Sequence, residues 1–172
     1  MKAAERSGCA VLCMDESIFL YDSVSRYVWA KREIKPVVLT TGSHRRTCVF
    51  GALSLNGRQL FRQYGMVNGK NFTAYMGALR RKFGSLLLFL DRAPHHRSSY
   101  VRGWLRKNRN HVKLRWLPTA RPELNPVEEC WRQSKDTVQA NRIHPTFEIM
   151  KKEITKTLRT KRFKLNIVKY LC

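Results

Sequence analysis

Three acidic residues stand where carboxylates could cooperate in one site. Asp15 follows an apolar run at 9–14, Asp91 follows a second apolar run at 86–90, and Glu128 comes two residues after an Asn-Pro pair. The chain has only 12 Asp and Glu against 34 Lys and Arg. Carboxylate oxygens are the ligands that Mg²⁺ and Mn²⁺ prefer, and these ions serve phosphate chemistry. If the three side chains converge, the sequence predicts a divalent-metal site.

Each acid taken alone also has a purely structural explanation. Asp15 and Asp91 could each form a turn after a strand, because Asp side chains accept hydrogen bonds from nearby backbone N–H groups. Glu128 lies three residues after Asn125, which is the spacing of a capping box at a helix start. The prediction of a site therefore depends on the elements that would bring the acids together.

Apolar periodicity and turn residues divide the chain into alternating strands and helices. Continuous apolar runs predict strands that are buried on both faces, whereas apolar residues spaced three and four apart predict amphipathic helices. Asn56-Gly57 predicts a hairpin turn, and Asn125-Pro126 predicts the start of a helix. The predicted strands are 9–14, 47–55, 59–64, 86–90 and 111–117, and the predicted helices are 71–83, 98–107, 126–139 and 145–158.

This order predicts an α/β fold, a mixed sheet with helices packed on both faces. Reactive groups in such sheets gather beyond the carboxyl ends of the central strands, where Asp15 and Asp91 are expected. If their strands are neighbours and the helix after Asn125 crosses the strand ends, Glu128 joins them. Carboxylates in such proximity raise one another's pKa unless a cation lies between them.

The charge of the chain points to a polyanionic partner. The net charge is +22, and a basic excess of this size favours nucleic acid, because binding releases counterions from phosphates. A solvated basic surface, a ribosomal or histone-like role, or a membrane surface would share this charge. Five cysteines without paired C-x-x-C spacing indicate neither a zinc site nor a disulfide framework. With no signal sequence or membrane span, we expect an intracellular protein, in the cytoplasm or nucleoid of a prokaryote or the nucleus of a eukaryote.

Four sequence blocks resemble the catalytic domain of the mariner-like superfamily and, more closely, of related prokaryotic insertion-sequence transposases. The resemblance implies a ribonuclease-H-like fold with a DDE-type acid triad at Asp15, Asp91 and Glu128, with 36 residues between the last two acids. Arg92 stands where the family usually has Asn. The matching blocks are MDES at 14–17, VFGALSLNGR at 49–58, LFLDRAPHH at 88–96 and LPTARPELNPVEECW at 117–131.

The resemblance further implies a metal-dependent endonuclease that cuts DNA at element ends and joins it to target DNA. Two Mg²⁺ ions, with Mn²⁺ as a substitute, would be held by the triad. His96, with His95 as the alternative, and Glu16 would orient a metal ligand or a phosphate, although a purely structural hydrogen bond would equally explain His96. A homodimer is expected in the active complex. The cations expected nearest the DNA backbone are Arg92, Arg97, Lys113, Arg115 and Arg121.

The expected organisation is one catalytic domain over 1–172. Its core would span about 9–139, followed by a basic helical extension at about 140–172. Roughly eight residues precede the first strand, so we expect the upstream helix-turn-helix modules that such transposases carry to be absent. The competing hypothesis is a transposase-derived DNA-binding remnant that has lost catalysis.

Overall fold

The computed structural model describes residues 8–27, 29–33, 37–118, 122–165, 167 and 170. Within them a single five-stranded sheet carries four α-helices. The strands are β1 (Ala10–Leu20), β2 (Arg46–Ser54), β3 (Gln59–Tyr64), β4 (Leu86–Leu90) and β5 (Val112–Trp116). The helices are α1 (Gly69–Phe83), α2 (Ser99–Lys107), α3 (Pro126–Val138) and α4 (Phe147–Thr160), with 3-10 turns at Pro94–Arg97 and Pro122–Leu124.

Local sequence explains where the helices begin. In each case a short polar side chain accepts a hydrogen bond from a backbone N–H in the first turn, a donor that has no partner inside the helix. The capping residues are Asn68, Ser98, Asn125 and Thr146. None of the described helices is both long enough and apolar enough to span a bilayer.

The sheet has the strand order β3-β2-β1-β4-β5. The β1–β2 and β2–β3 pairs are antiparallel, whereas β1–β4 and β4–β5 are parallel. Between β2 and β3 the chain turns through Gly57, whose φ of +76° suits glycine. The predicted mixed α/β sheet is confirmed, and β1 and β4 are neighbours.

Apolar side chains fill both faces of the sheet, because successive residues of a strand point to opposite sides. Leu12 and Met14 pack with α1 and α2, whereas Cys13 packs on the other face with α3 and α4. On that second face α4 contributes Met150 and Ile154, both fully buried. The helix at the C-terminal side thus forms part of the core that supports β1.

The prediction that the first strand ends before Asp15 is wrong. β1 continues to Leu20, because its residues from Leu12 onwards pair with β2. Beyond Asp15 the strand alternates buried Ser17 and Phe19 with exposed Ile18 and Leu20. The acid marks the end of pairing with β4, whose last partner on β1 is Cys13, rather than the end of the strand.

Candidate active site

Asp15 on β1 and Asp91 just after β4 lie at the same end of two neighbouring parallel strands. The parallel register of β1 and β4 stops at Cys13 opposite Phe89, and each acid comes two residues further along its own strand direction. Asp15 is partly buried because β2 covers its other side, whereas Asp91 is exposed just after β4. The sheet therefore presents two carboxylates at one edge of the β1–β4 pair.

The start of α3 brings Glu128 to the same edge. The Nδ2 of Asn125 donates to the carbonyl oxygen of Met14 at 3.1 Å, which ties the helix start to β1 next to Asp15. The Oδ1 of Asn125 accepts from the N–H of Val127 at 3.2 Å. Among the described hydrogen bonds none joins the Glu128 side chain to the Asn125 N–H, so a capping box does not account for this acid.

The three acids share one electrostatic environment. Burial and the neighbouring charges of Glu128 and Glu16 raise the pKa of Asp15 to about 8, against the hydrogen bond from Trp131. Partial burial and the charge of Asp91 raise the pKa of Glu128, although Lys135 acts in the opposite direction. Glu128 thus opposes the ionisation of Asp15, and Asp91 opposes that of Glu128, as expected where a cation is needed between carboxylates.

Their oxygens are not in tight contact. Among the described residues, one group of three His, Cys or acidic side chains has ligand atoms within 4.8 Å of one another, and it consists of Glu16, His95 and His96. The carboxylate oxygens of Asp15, Asp91 and Glu128 therefore do not all lie within 4.8 Å of one another.

His96 joins two acids through its two ring nitrogens. Its Nδ1 lies 3.0 Å from Oδ1 of Asp91, and its Nε2 lies 2.9 Å from Oε1 of Glu16. The residue is 2% exposed. Burial lowers the pKa of His96, but the hydrogen bonds and charges of Asp91 and Glu16 outweigh it and raise the pKa to about 9. An imidazolium in this position donates to both carboxylates.

The acids on either side of His96 respond to it. The hydrogen bond from His96 is the largest influence on Asp91 and lowers its pKa. For Glu16, burial raises the pKa, but hydrogen bonds from His95 and His96 outweigh it. Because a protonated His96 repels a metal ion, this buried cluster suits a support for Asp91 better than a metal centre. The amide of Ala93 donates to the same Oδ1 of Asp91 at 3.0 Å, so both contacts leave Oδ2 unused.

Trp131 is a site residue that sequence reasoning did not single out. Its indole Nε1–H donates to Oδ2 of Asp15 at 2.8 Å. Trp131 lies three residues after Glu128 on α3, so both side chains share one helix face. The ring fits against β2 because Gly51, the partner of Asp15, has no side chain, and a Cβ there would lie 2.5 Å from Cη2 of Trp131. The spacing from Glu128 to Trp131 was the available signal.

The predicted DNA-binding cations fall at different distances from the acids. Arg92 and Arg97 are exposed and lie next to Asp91 in the chain. Lys113 and Arg115 are exposed on β5, but Lys113 pairs with Leu87 and its charge acts on Cys9, towards the opposite end of the strands. The remaining predicted cation, Arg121, lies outside the described residues.

The fold and these acids define the class of the protein, an α/β domain with carboxylates just beyond the point where its parallel strands β1 and β4 stop pairing. The model of the family described as DDE superfamily endonuclease matches residues 10–151. The chain belongs to this family. No curated protein is similar enough in sequence to give a match.

Solved structures of the Mos1 mariner transposase have the same fold. The Mos1 paired-end complex with the left transposon end has a TM-score of 0.69 at 15% identity, covering 97% of this chain and 53% of that one. A pre-cleavage Mos1 transpososome gives 0.68 at 15% identity, covering 99% and 55%. The Mos1 catalytic domain gives 0.64 at 14% identity, covering 99% and 80%. The predicted ribonuclease-H-like fold is confirmed, and the chain spans about half the length of the Mos1 chains in the complexes.

Proposed function

We propose that the chain is a DDE transposase catalytic domain in which Asp15, Asp91 and Glu128 carry metal-dependent cleavage and joining of DNA. The main support is that acids from β1, the end of β4 and the start of α3 lie at one sheet edge, where Glu128 opposes the ionisation of Asp15 and Asp91 opposes that of Glu128. A protein with a net charge of +22 has cations enough to neutralise such acids, yet these three remain grouped. A divalent ion would resolve this repulsion.

The donor set fits Mg²⁺ or Mn²⁺. All three ligands are carboxylates, which suit hard ions, and Asp91 keeps Oδ2 free of the contacts made by His96 and Ala93. Three carboxylates whose oxygens do not all lie within 4.8 Å of one another suit two ions about 4 Å apart better than one shared ion. Bound there, the ions would polarise the phosphate and lower the pKa of the attacking hydroxyl.

The remaining residues would position these acids and the DNA. Trp131 holds Oδ2 of Asp15, and His96 holds Oδ1 of Asp91, so both carboxylates keep one orientation. Arg92 and Arg97 would bind phosphates beside the acids without reading sequence.

The proposed reaction has two in-line displacements at phosphorus. Water attacks a phosphodiester, the bond to the 3′ oxygen breaks, and the products are a 3′-hydroxyl and a 5′-phosphate. The freed 3′-hydroxyl then attacks a target phosphodiester, forming a new bond to phosphorus while another 3′-hydroxyl leaves. No covalent enzyme intermediate is required.

We also propose that the chain forms one catalytic domain that acts as a homodimer on paired DNA ends. Helix α4 shares the apolar cluster of β1 and α3, which supports a single folding unit. The Mos1 relatives include a paired-end complex and a strand transfer complex, and a reaction on two ends calls for two active sites.

The test is Mn²⁺-dependent nicking of element-end DNA by the wild type and by Asp91→Asn. We expect nicking by the wild type and loss of at least about two orders of magnitude in the variant. Glu153→Gln on α4 is the matched control, because it removes one carboxylate outside the site. Equal nicking by wild type and Asp91→Asn would remove Asp91 from the mechanism. A wild type that binds DNA but neither nicks it nor gains stability from metal would favour the inactive remnant.

A further inference from the structure

A basic groove runs between helix α4 and the edge strand β3, which lies two strands from β1 in the sheet. It has a volume of about 730 Å³ and is lined on the helix side by Lys151, Lys152, Lys156 and Arg159. It continues into a smaller groove of about 350 Å³ that includes Arg62. None of these cations belongs to the set expected at the acid site.

Hydrogen bonds between Gln63 of β3 and helix α4 form the floor of the groove. The Nε2 of Gln63 on β3 donates to the carbonyl oxygen of Lys151 at 2.7 Å and to Oγ1 of Thr155 at 2.6 Å. The opposite face of α4 is anchored by Met150 and Ile154, which are fully buried. The helix is therefore held in place by contacts that do not involve its cations.

Most cations of the groove have no acidic partner among the described residues. Glu148 is the one acid in its lining, and this side chain pairs with Lys151 at 3.1 Å and with Arg45 at 3.6 Å. In the part of the chain that the structure describes, Lys152, Lys156 and Arg159 form no ion pair and are exposed. Like charges four residues apart destabilise a helix, so this arrangement does not serve the stability of α4.

The groove lies at the same end of the sheet as the acids. In the β1–β2 pair Asp15 is opposite Gly51, and in the β2–β3 pair Gly51 is opposite Phe61. Phe61 therefore lies at the same height in the sheet as Asp15, two strand spacings or about 10 Å away. The Phe61 ring packs against Trp131 with centroids 5.5 Å apart, and Trp131 bonds Asp15. Phe61 also lines the smaller groove.

The spacing of the cations suits a nucleic-acid backbone. Lys152, Lys156 and Arg159 recur at intervals of four and three on one helix face, and they span about 10 Å along α4. This length covers about three nucleotide steps of a strand at 3.4 Å each. Single-stranded DNA is usually held by stacking on aromatic rings, but Phe61 and Tyr64 are already packed against Trp131 and Phe50.

We propose that this groove binds the sugar–phosphate backbone of duplex DNA on the β3 side of the acid site. The inference rests on the proposed function, because it extends the DNA path away from the cleaved bond. Arg92 and Arg97 lie on the other side, so a duplex that crosses the acids is held on both flanks. The groove contributes affinity and orientation without sequence choice.

The experiment measures binding of the full chain to a random-sequence duplex of about 30 base pairs by fluorescence anisotropy, without divalent metal. The groove variant carries Lys152→Gln, Lys156→Gln and Arg159→Gln. Log K falls with log salt, and each lost phosphate contact reduces the magnitude of this negative slope by about 0.9. For the groove variant we therefore expect a slope that is smaller in magnitude by about 2–3 and binding that is at least about tenfold weaker.

The matched control removes the same charge elsewhere. Arg106, Lys107 and Arg109 are exposed near the end of α2, and their joint replacement by Gln should leave the slope within about one unit of the wild type. If the magnitude of the salt slope decreased equally in the two triple variants, net charge alone would account for binding and the proposed role of the groove would be overturned. An unchanged slope in the groove variant, with an unchanged far-UV circular dichroism spectrum, would do the same. A polyglutamate peptide that binds the groove more tightly than the duplex would overturn DNA as its partner.

The two proposals fail in different ways. If the wild type nicks DNA and the groove variant keeps the wild-type salt dependence of binding, only the proposal that the groove binds DNA is overturned. If the wild type does not nick DNA and the groove variant shows the expected decrease in salt dependence, the proposed acid chemistry is overturned and DNA binding by the groove is supported.

Discussion

Gly51→Ala tests whether the close approach of Trp131 to the sheet holds the acid site together. A Cβ at this position would lie 2.5 Å from Cη2 of Trp131 and 2.6 Å from Cε1 of Phe61. Carbon atoms in favourable contact are about 3.5–4.0 Å apart, so the two rings must move by about 1 Å. Trp131 belongs to the apolar cluster beneath α3 and α4 and is 3% exposed, whereas Phe61 packs against that cluster and also lines the smaller groove.

The expected cost follows from overpacking. Adding a methyl group to a filled core costs about 1–3 kcal/mol, which lowers the melting temperature of a chain of this size by about 2–12 °C. Displacement of Trp131 also weakens its hydrogen bond to Asp15. The affinity for Mn²⁺ should therefore be lower than in the wild type even at temperatures at which the variant is fully folded. Thermal denaturation by circular dichroism and a Mn²⁺ titration measure the two effects.

Gly103→Ala is the matched control. Gly103 lies inside α2, and a Cβ there would meet nothing within 4 Å. Replacement of a helical glycine by alanine stabilises by about 0.5–1 kcal/mol, so the two Gly→Ala substitutions should shift the melting temperature in opposite directions. A Gly51→Ala protein that melts at or above the wild-type temperature would refute the packing argument, because the rings would have room that the structure denies them.

Three further predictions concern the contacts around the acids. Trp131→Phe keeps a ring but loses the N–H that reaches Asp15, so single-turnover nicking should fall about 10- to 100-fold with little change in duplex binding. His96→Gln leaves the buried carboxylate of Glu16 without its nearer histidine partner, so urea denaturation should show a loss of about 3–5 kcal/mol, more than for the less buried His95→Gln. Calcium at about 100 times its Kd should stabilise the wild type by about 2.7 kcal/mol in thermal denaturation, and Asp91→Asn should lose most of this gain.

Each of these predictions has a result that contradicts it. Unaltered nicking in Trp131→Phe would mean that Asp15 keeps its orientation without the indole. Equal losses in the His96 and His95 variants would mean that the buried bridge to Asp91 adds no stability. Equal calcium stabilisation of wild type and Asp91→Asn would place the bound ion elsewhere.

The sequence by itself determined those features that depend on neighbouring residues. β4 covers Leu86–Leu90 as predicted, because a continuous apolar run suits a strand buried by parallel neighbours. α3 begins at Pro126 as predicted, since the cap and the first-turn proline act within a few residues. The three acids could also be selected as candidates from neighbouring residues, because two follow apolar runs and the third follows the Asn125-Pro126 pair.

Only the tertiary structure decided the features that depend on residues far apart in the chain. β1 continues past Asp15 because β2, more than thirty residues later, pairs with it. The bond from Trp131 to Asp15 joins positions 116 residues apart, and it exists because Gly51 leaves room for the ring. The raised pKa of His96 depends on Glu16 and Asp91, which meet it from different elements. Local patterns set the elements and their ends, whereas burial, register and contact between distant side chains set the electrostatics of the site.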